Sequence, residues 1–171
     1  MSAPRNLFAR YLPAMQPGTL DWIGLRPARK APVQAVESTE AIVDLGLMGD
    51  RRCEGTPGSA RQVTLINAEH IDVIARLLGY DRIDPAQLRR NLVISGVNLQ
   101  ALRHQRFQIG EAIFEATAQC HPCGRMEQVL GRGGTAAMLG HGGLCAKIIQ
   151  GGKIQVGDQV VPLLTQQELF E

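Results

Sequence analysis

Apolar and polar positions alternate in short runs along this chain, and this pattern predicts many β-strands. The strand around Trp22 has apolar residues at its centre, and other runs are rich in β-branched residues. The predicted single strands cover residues 19–27, 33–37, 41–45, 63–66, 91–96 and 143–149. Segments 107–119 and 153–163 each contain two strands around a glycine turn, so each predicts a hairpin.

One segment carries a strong helical pattern. Apolar residues recur at helical spacing after Asn67, which is a favourable N-cap, and Gly79 ends the pattern. A second helix starts at Asp84 and Pro85, a good N-cap followed by proline at the first helical position. The other predicted helices are short and cover residues 7–12, 125–130 and 165–171.

Many closely spaced strands with a single strong helix predict a mainly β domain with a few short helices, closed or nearly closed into a barrel. A doubly wound α/β fold would need regular helices between its strands, and the pattern lacks them. We therefore predict an N-terminal extension (1–19), one barrel domain (20–164) and a short C-terminal tail (165–171).

Composition and charge reduce the number of functional classes to consider. The formal net charge of +2 is far from the strongly basic balance of nucleic-acid-binding domains, so no nucleic-acid partner is expected. No apolar run approaches the roughly 20 residues of a membrane span, and the first residues lack the apolar core of a signal peptide. We expect a cytoplasmic protein without a membrane partner, whose four cysteines are thiols for metal binding or chemistry.

Three of those cysteines, with many glycines, lie between Gln119 and Asp158. Cys123 ends a strand and precedes a predicted helix, and both the helix N-terminus and Arg125 favour a thiolate. A thiolate serves as a nucleophile, a sulfur carrier or a soft metal ligand. The roles of Cys120 and Cys145 stay open, although Cys145 falls in a strand that is predicted to be buried.

Arginine side chains recur where loops meet strands. Such arginines can clamp a phosphate or an oxyanion, although surface arginines are usually only solvated. The sequence contains neither a GxxxxGK[ST] loop nor a GxGxxG motif after a strand. Any phosphate would therefore be held by scattered residues, of which the candidates are Arg51, Arg52, Arg61, Arg89, Arg90 and Asn91.

An ordered set of segments resembles the MOSC domain, the C-terminal domain of molybdenum cofactor sulfurases, which also occurs as small stand-alone bacterial proteins. The segments are GLMGDRR, RQVTLIN, LRRNLVISGVNL, FQIGEAIFEAT, CHPCGRM and GHGGLCAKIIQGGKIQVGD, and together they span roughly residues 20–163. The resemblance implies a twisted, mostly antiparallel β-barrel. It also implies a cysteine that carries sulfur as a persulfide or ligates molybdenum in a pterin cofactor.

The resemblance also assigns residues. The family's key cysteine matches Cys123, which becomes both the catalytic residue and the metal ligand. The family's phosphate-binding arginine and asparagine match Arg89 and Asn91, and Arg51 matches the arginine of a glycine-acid-arginine turn. Arg90 takes the place of a residue that varies in the family. The other cofactor-binding residues implied are Thr64, His121 and Arg125.

Three functions follow as hypotheses. The first is a molybdenum-cofactor (molybdopterin) enzyme that transfers sulfur or reduces N-hydroxylated small molecules. The second is a metal-free sulfur carrier, and the third is a structural zinc module with ligands Cys120, Cys123, His141 and Cys145. The expected partners are a cysteine desulfurase or other sulfur donor, or a redox partner. No pyridoxal phosphate is expected on this chain.

Overall fold

A computed structural model describes residues 9–163. Its strands are β1 (Gly18–Leu25), β2 (Gln34–Val36), β3 (Ser38–Ile42), β4 (Gly46–Leu47), β5 (Val63–Asn67), β6 (Leu92–Ser95), β7 (Arg106–Ile109), β8 (Ala112–Gln119), β9 (Leu144–Gln150), β10 (Gly152–Gln155) and β11 (Gln159–Leu163). Its α-helices are α1 (Ala68–Leu78), α2 (Pro85–Leu88), α3 (Gly124–Leu130) and α4 (Gly134–Met138). Short 3₁₀ helices cover Ala9–Ala14, Arg51–Glu54 and Leu99–Leu102.

Seven strands close into a barrel, in the order β11-β7-β8-β9-β5-β6-β1, and β1 pairs with β11 to complete the ring. Strand β2 extends the sheet from β1. Strands β5 and β6 are parallel, whereas the other pairs of this sheet are antiparallel. The parallel pair requires a crossover, which α1 and α2 provide. The prediction of a mainly β, barrel-shaped domain with a few short helices is confirmed.

A second sheet has the order β10-β3-β4. Strand β10 pairs with β3, while β11 pairs with β7 and β1, so the two strands of segment 153–163 do not pair with each other. The predicted hairpin there is wrong, because the glycine turn carries the chain from one sheet to the other. The hairpin in segment 107–119 is confirmed, since β7 and β8 pair with each other.

The alternation of strand residues divides the core into two parts. Along β5, Leu65 faces the barrel interior, and Ile66 faces the other side. The interior cluster is completed by two stacked rings, Phe107 and Phe114, whose centroids are 5.6 Å apart. The outer cluster fills the space between the barrel wall and α1, α3 and α4. The outer face of the wall is therefore covered by helices in one region and open in another.

Helix α1 begins after Asn67 and ends at Gly79, which has the left-handed conformation (φ 74°) that glycine adopts at low cost. The prediction that the Asn67 side chain caps this helix is wrong, because the side chain makes no capping hydrogen bond. It instead donates to the Val97 carbonyl oxygen (2.7 Å) and accepts from the Leu99 amide (3.0 Å), so it ties β5 to the segment after β6. The Asp84 cap of α2 is confirmed, since its carboxylate accepts from the Ala86 amide at 2.9 Å.

Other segments differ in detail from the predictions. The 3₁₀ helix Leu99–Leu102 and helix α4 were not predicted as helices. Predicted strand 41–45 is replaced by β3 and β4 on either side of a turn. The predicted tail helix (165–171) and residues 7–8 of the predicted N-terminal helix lie outside the described residues. Within residues 9–163, no helix has the length and apolar character to span a membrane.

Candidate functional site

A cleft of about 360 Å³ lies against the outer face of β5. Thr64 lines it because Val63 and Leu65 face the barrel interior, which turns the side chain between them outward. Its other lining residues come from the end of β1 and from the segment before β5, and are Arg26, Arg51, Arg52, Gly55, Ser59, Arg61 and Gln62. Four arginines around one cleft make it a site for an anion.

A buried carboxylate anchors one wall of this cleft. Asp50 is only 3% exposed, and its two oxygens accept from the Arg26 side chain (both 3.1 Å) and from the amides of Arg26 and Arg52 (both 2.9 Å). Burial by itself would raise the pKa of Asp50, but these hydrogen bonds and the Arg26 charge outweigh burial and lower it. The carboxylate therefore stays ionised and holds Arg26 in place.

Asn91 is fully engaged within the protein. Its amide group donates to the Gly24 carbonyl oxygen (3.0 Å) and to Asp50 (2.9 Å). Its side-chain oxygen accepts from the Thr64 amide (3.2 Å) and hydroxyl (3.3 Å). With both amide hydrogens in use, Asn91 organises the base of the cleft and has no free donor for a ligand in this conformation.

Arg89 lies close to three other arginines. It adopts a left-handed backbone conformation (φ 57°) at the end of α2, and its guanidinium donates to the Ala31 carbonyl oxygen at 2.7 Å. Burial lowers the pKa of Arg89, as do the charges of Arg125, Arg26 and Arg51. Predicted cofactor ligands Arg51, Arg89 and Arg125 are thus brought into one electrostatic neighbourhood, where an anion would relieve their repulsion.

The thiol of Cys120 lies next to this cleft, at the end of β8. The pairing of β8 with β9 shifts between Ala116 and Ala118, so two residues of β8 oppose one of β9. This bulge reverses the alternation, because Ala116 pairs with the interior residue Ala146, whereas Ala118 pairs with Cys145 on the outer face. Cys120 follows Ala118 in phase, and its thiol therefore reaches the outer face instead of the core.

Cys120 is buried, and cations and a second thiol surround it. The Arg61 guanidinium donates to the Cys120 sulfur at 3.4 Å, and Arg61 also lines the cleft. A hydrogen bond from the Cys145 thiol, followed by the charges of Arg90 and Arg61, lowers the pKa of Cys120 to about 6 despite its burial. The same hydrogen bond raises the pKa of Cys145. The hydrogen bond and the two arginines thus favour negative charge on the sulfur of Cys120 over the sulfur of Cys145.

Arg90 is a buried residue that binds backbone oxygens at and around Cys120. Its guanidinium donates to the carbonyl oxygens of Gly142 (2.9 Å), Leu88 (3.0 Å) and Cys120 (3.4 Å). Burial lowers the pKa of Arg90, and the charge of Cys120 opposes that change. Arg90 is thus a buried cation whose hydrogen bonds link the backbone of Cys120 to Gly142 and to the end of α2.

Cys123, the predicted catalytic residue, has an exposed thiol. It occupies the N-cap position of α3, and its carbonyl oxygen accepts from the Met126 amide at 2.9 Å. The helix was predicted at 125–130 and covers Gly124–Leu130. Glu127 fixes it to the next helix by accepting from the amides of Gly133 (2.7 Å) and Thr135 (2.9 Å). Cys123 is therefore an accessible thiol on a well-anchored loop.

His121 and His141, both named in the sequence predictions, lie in different surroundings. His121 is exposed and borders a cavity of about 10 Å³ beside Cys120. His141 packs against His70 with ring centroids 5.0 Å apart, and its buried Nδ1 atom has no hydrogen-bond partner among residues 9–163. Within residues 9–163, no three histidine, cysteine, aspartate or glutamate side chains come together as metal ligands, so the predicted zinc cluster is not assembled.

The sequence predictions missed part of this site. Arg26 was not considered, because it follows a strand and no local signal distinguishes it from a solvated arginine. Arg61 was one of several arginines at loop–strand boundaries, and only the fold singles it out. Cys145 was correctly placed in a buried strand, but its contact with Cys120 depends on the pairing of β8 with β9.

Comparisons with known proteins agree with this fold. The sequence profile of the MOSC domain matches residues 50–161. The YuaD protein from Bacillus subtilis has a similar structure, with a TM-score of 0.74 and 18% identity over 88% of this chain and 98% of YuaD. YiiM from Escherichia coli aligns with a TM-score of 0.67 and 19% identity over 86% of this chain and 70% of YiiM. Among curated proteins, none matches this chain.

The protein is thus a small closed β-barrel in which a loop with two cysteines lies beside a cleft lined by arginines. The profile match extends over most of the chain, and the chain belongs to the MOSC domain family. The resemblance stated from the ordered sequence segments is confirmed. At these identities the structural neighbours support the fold alone.

Proposed function

We propose that this chain uses the thiol of Cys123 to bind the molybdenum cofactor or to carry sulfur as a persulfide. The observation that supports it best is the position of Arg61, which lines the anion cleft and also contacts Cys120 three residues before Cys123. One residue thus links an anion site to a loop with two thiols. A phosphate-bearing cofactor with a thiolate-bound metal needs both features.

The residues present fit such a cofactor. A volume of about 360 Å³ lies within the range of roughly 300–1,000 Å³ that is usual for ligand pockets. Arg51 and the other arginines that line the cleft would hold the phosphate, and Thr64 lies at the base of the cleft. Arg89 and Arg125 would add positive charge from outside the lining. Asn91 would act through Thr64 and Asp50, whose side chains it fixes.

The site also fits the metal end of the cofactor. The exposed Cys123 would supply the sulfur ligand, and His121 on the same loop would lie beside the bound group. Bound molybdenum supplies two-electron redox chemistry and an acceptor for sulfur. The chain itself neutralises the phosphate and holds the thiolate, while exposure of Cys123 leaves room for a substrate.

Reduction of an N-hydroxylated small molecule is the redox form of this proposal. Two electrons and two protons convert an N-hydroxyl group to N–H and water, so a redox partner must deliver the electrons. The two protons come from solvent, and the arginines around the cleft would bind the anionic part of the cofactor.

Sulfur carriage is the second form, and it needs no metal. The Cys123 thiolate attacks the terminal sulfur of a persulfide on a cysteine desulfurase. A sulfur–sulfur bond forms on Cys123 while the bond to the desulfurase cysteine breaks, and that cysteine leaves as a thiolate. Exposure of Cys123 favours this form, because the donor is another protein and must reach the thiol.

Elemental analysis of protein made in a cofactor-producing host tests the first form. We expect molybdenum in the wild-type protein and its loss in Cys123→Ser. Cys53→Ser is the matched control, because this half-buried thiol donates to the Leu47 carbonyl oxygen away from the cysteine loop. Molybdenum that is absent from the wild-type protein, together with no N-reductive activity, would contradict cofactor binding.

Intact-mass measurement tests the second form. After incubation with a cysteine desulfurase and L-cysteine, the wild-type chain should gain one sulfur atom, and Cys53→Ser should gain the same. Absence of any gain in the wild-type chain would reject sulfur carriage.

A further inference from the structure

The Cys120–Cys123 loop carries two thiols with opposite properties. Cys123 is exposed and accessible to another protein, whereas Cys120 is 2% exposed. Only His121 and Pro122 separate them in the chain, so both lie on one short connection between β8 and α3. An accessible thiol next to a protected one is an arrangement suited to handing a group inward.

The surroundings of Cys120 stabilise negative charge on sulfur. Arg61 donates to the sulfur at 3.4 Å, and the buried Arg90 donates to the carbonyl oxygen of the same residue at 3.4 Å. The Cys145 thiol forms a hydrogen bond with the sulfur from the neighbouring strand. Arg61 and the Cys145 thiol thus act on the sulfur of Cys120, and Arg90 holds the backbone of the same residue.

The packing beside Cys120 leaves a small space. A cavity of about 10 Å³ borders this residue, and its other walls come from the cysteine loop, the loop before β9 and two glutamines. The lining residues are Gln100, Gln119, Cys120, His121, Pro122, Gly140, Gly142 and Gly143. This volume is close to the roughly 10–15 Å³ that one water molecule needs, so the cysteine loop leaves a small open space on one side of Cys120.

We propose that Cys120 stores the sulfur that Cys123 receives, so the two thiols form a relay from the surface to a protected site. The proposal rests on the sulfur-carrying form of the proposed function and adds a second residue to it. Arg61, Arg90 and Cys145 are positioning residues, because Arg61 and Cys145 act on the sulfur of Cys120 and Arg90 binds its carbonyl oxygen.

The transfer step is balanced without any added oxidant or reductant. The Cys120 thiolate attacks the terminal sulfur of the Cys123 persulfide, and a sulfur–sulfur bond forms on Cys120. The sulfur–sulfur bond on Cys123 breaks, and Cys123 leaves as a thiolate that takes up a proton from solvent. The terminal sulfur is then bonded to the Cys120 sulfur, beside Arg61 and the Cys145 thiol, which stabilise negative charge there.

Transfer of the sulfur to the buried Cys120 would protect the persulfide from dissolved thiols. A persulfide on Cys123 is open to attack by any dissolved thiol, whereas a persulfide on Cys120 is protected by the barrel wall and the loop. Sulfur on Cys120 also lies beside Arg61 and therefore at the edge of the anion cleft, where an acceptor would bind.

The test loads the full chain with sulfur from a cysteine desulfurase and L-cysteine and then adds reduced glutathione. Mass-spectrometric fragmentation of the wild-type chain should locate the sulfur on Cys120. In Cys120→Ser the sulfur should stay on Cys123 and be lost to glutathione at least about tenfold faster. In Cys123→Ser loading from the desulfurase should be at least about tenfold slower, because the remaining thiol is buried. Cys53→Ser should match the wild-type chain.

The outcomes separate the two proposals. If wild-type sulfur is found only on Cys123 and is lost as fast as in Cys120→Ser, the relay is wrong and sulfur carriage stands. A Cys120–Cys123 disulfide with release of sulfide would also overturn storage. If the wild-type chain gains no sulfur, both proposals fail. Because fragmentation of the wild-type chain needs no variant, the test holds even if Cys120→Ser folds poorly, and Cys120→Ala then replaces it.

Discussion

Replacing Asp50 by asparagine should destabilise the protein through a single buried ion pair. The carboxylate is 1% exposed, and it binds the Arg26 guanidinium through both oxygens at 3.1 Å. It also accepts from Asn91 and from two backbone amides. Asp50→Asn keeps the size of the side chain but removes its charge, and places an NH₂ group among donors.

The expected loss follows from the burial of both partners. Removing one partner of a buried pair costs about 3–5 kcal/mol, because the other charge loses its compensation. The Arg26 side chain is 20% exposed and can regain some water, so we expect the free energy of unfolding to fall by about 2–4 kcal/mol. With a urea slope of about 2 kcal/mol/M, the unfolding midpoint would fall by about 1–2 M.

The effect should depend on pH in a defined direction. Because the pKa of Asp50 is lowered by folding, the charged form stabilises the native state at any pH above the unfolded value of about 3.9. This stabilisation is lost as the pH falls through the lower pKa of the folded state. The difference between wild type and Asp50→Asn should therefore be constant at neutral pH and narrow in acid.

Urea unfolding followed by circular dichroism at several pH values measures both quantities. Asp21→Asn is the matched control, because Asp21 is an exposed residue of β1, and we expect a change within about 0.5 kcal/mol. An Asp50→Asn midpoint equal to that of the wild-type chain at neutral pH would refute the reasoning. A difference that stays unchanged down to strongly acidic pH would also refute it.

Three further changes test other parts of the structure. Asn67→Ala should lower the free energy of unfolding by about 2–3 kcal/mol in a urea titration, since it leaves buried backbone groups without partners. Phe114→Ala should cost about 3–5 kcal/mol in the same assay, because it opens a cavity beside Phe107, and a cost below 1 kcal/mol would contradict the stacked core. Cys145→Ala should raise the pKa of Cys120 above about 6, measured by thiolate absorbance against pH, and an unchanged titration would show that the thiol pair does not form.

The elements with complete local signals were predictable from sequence. The second helix has both an aspartate cap and a proline at its first position, and both are found in these roles. The end of the first helix at Gly79 is equally local, because a left-handed residue there needs no distant partner. Asn67 shows the limit, since a good capping residue was drawn into hydrogen bonds with the segment after β6.

The pairing of strands was predictable only where a turn settles it. β7 and β8 form the hairpin that the sequence indicates. Segment 153–163 has the same sequence pattern, but its two strands pair with other strands and form no hairpin. In that segment the Val156 amide donates to the Glu37 carbonyl oxygen and the Gly157 amide to the Leu20 carbonyl oxygen, both from distant parts of the chain. These contacts separate the two strands, and no local pattern reveals them.

The surroundings of Cys120 could not be predicted from the sequence, because they depend on an irregularity in the pairing of β8 with β9. With strict alternation along β8, Cys120 would share the phase of Phe114 and Ala116 and face the barrel interior. The bulge before Ala118 reverses that phase and turns Cys120 toward Cys145 and Arg61. Cys123, by contrast, stands outside the strand, where a helix cap can be read locally.

This difference in origin explains why the two thiols can have different tasks. Cys123 lies on an exposed loop at the start of α3, where another protein can reach its thiol. The environment of Cys120 depends on the barrel itself, since Arg61 precedes β5 and Cys145 belongs to β9. A rigid sheet keeps cations and a thiol donor within reach of one sulfur atom at no further cost in entropy. The sulfur held by the sheet is thus the better one to protect a reactive group, and the sulfur on the loop is the better one to meet another protein.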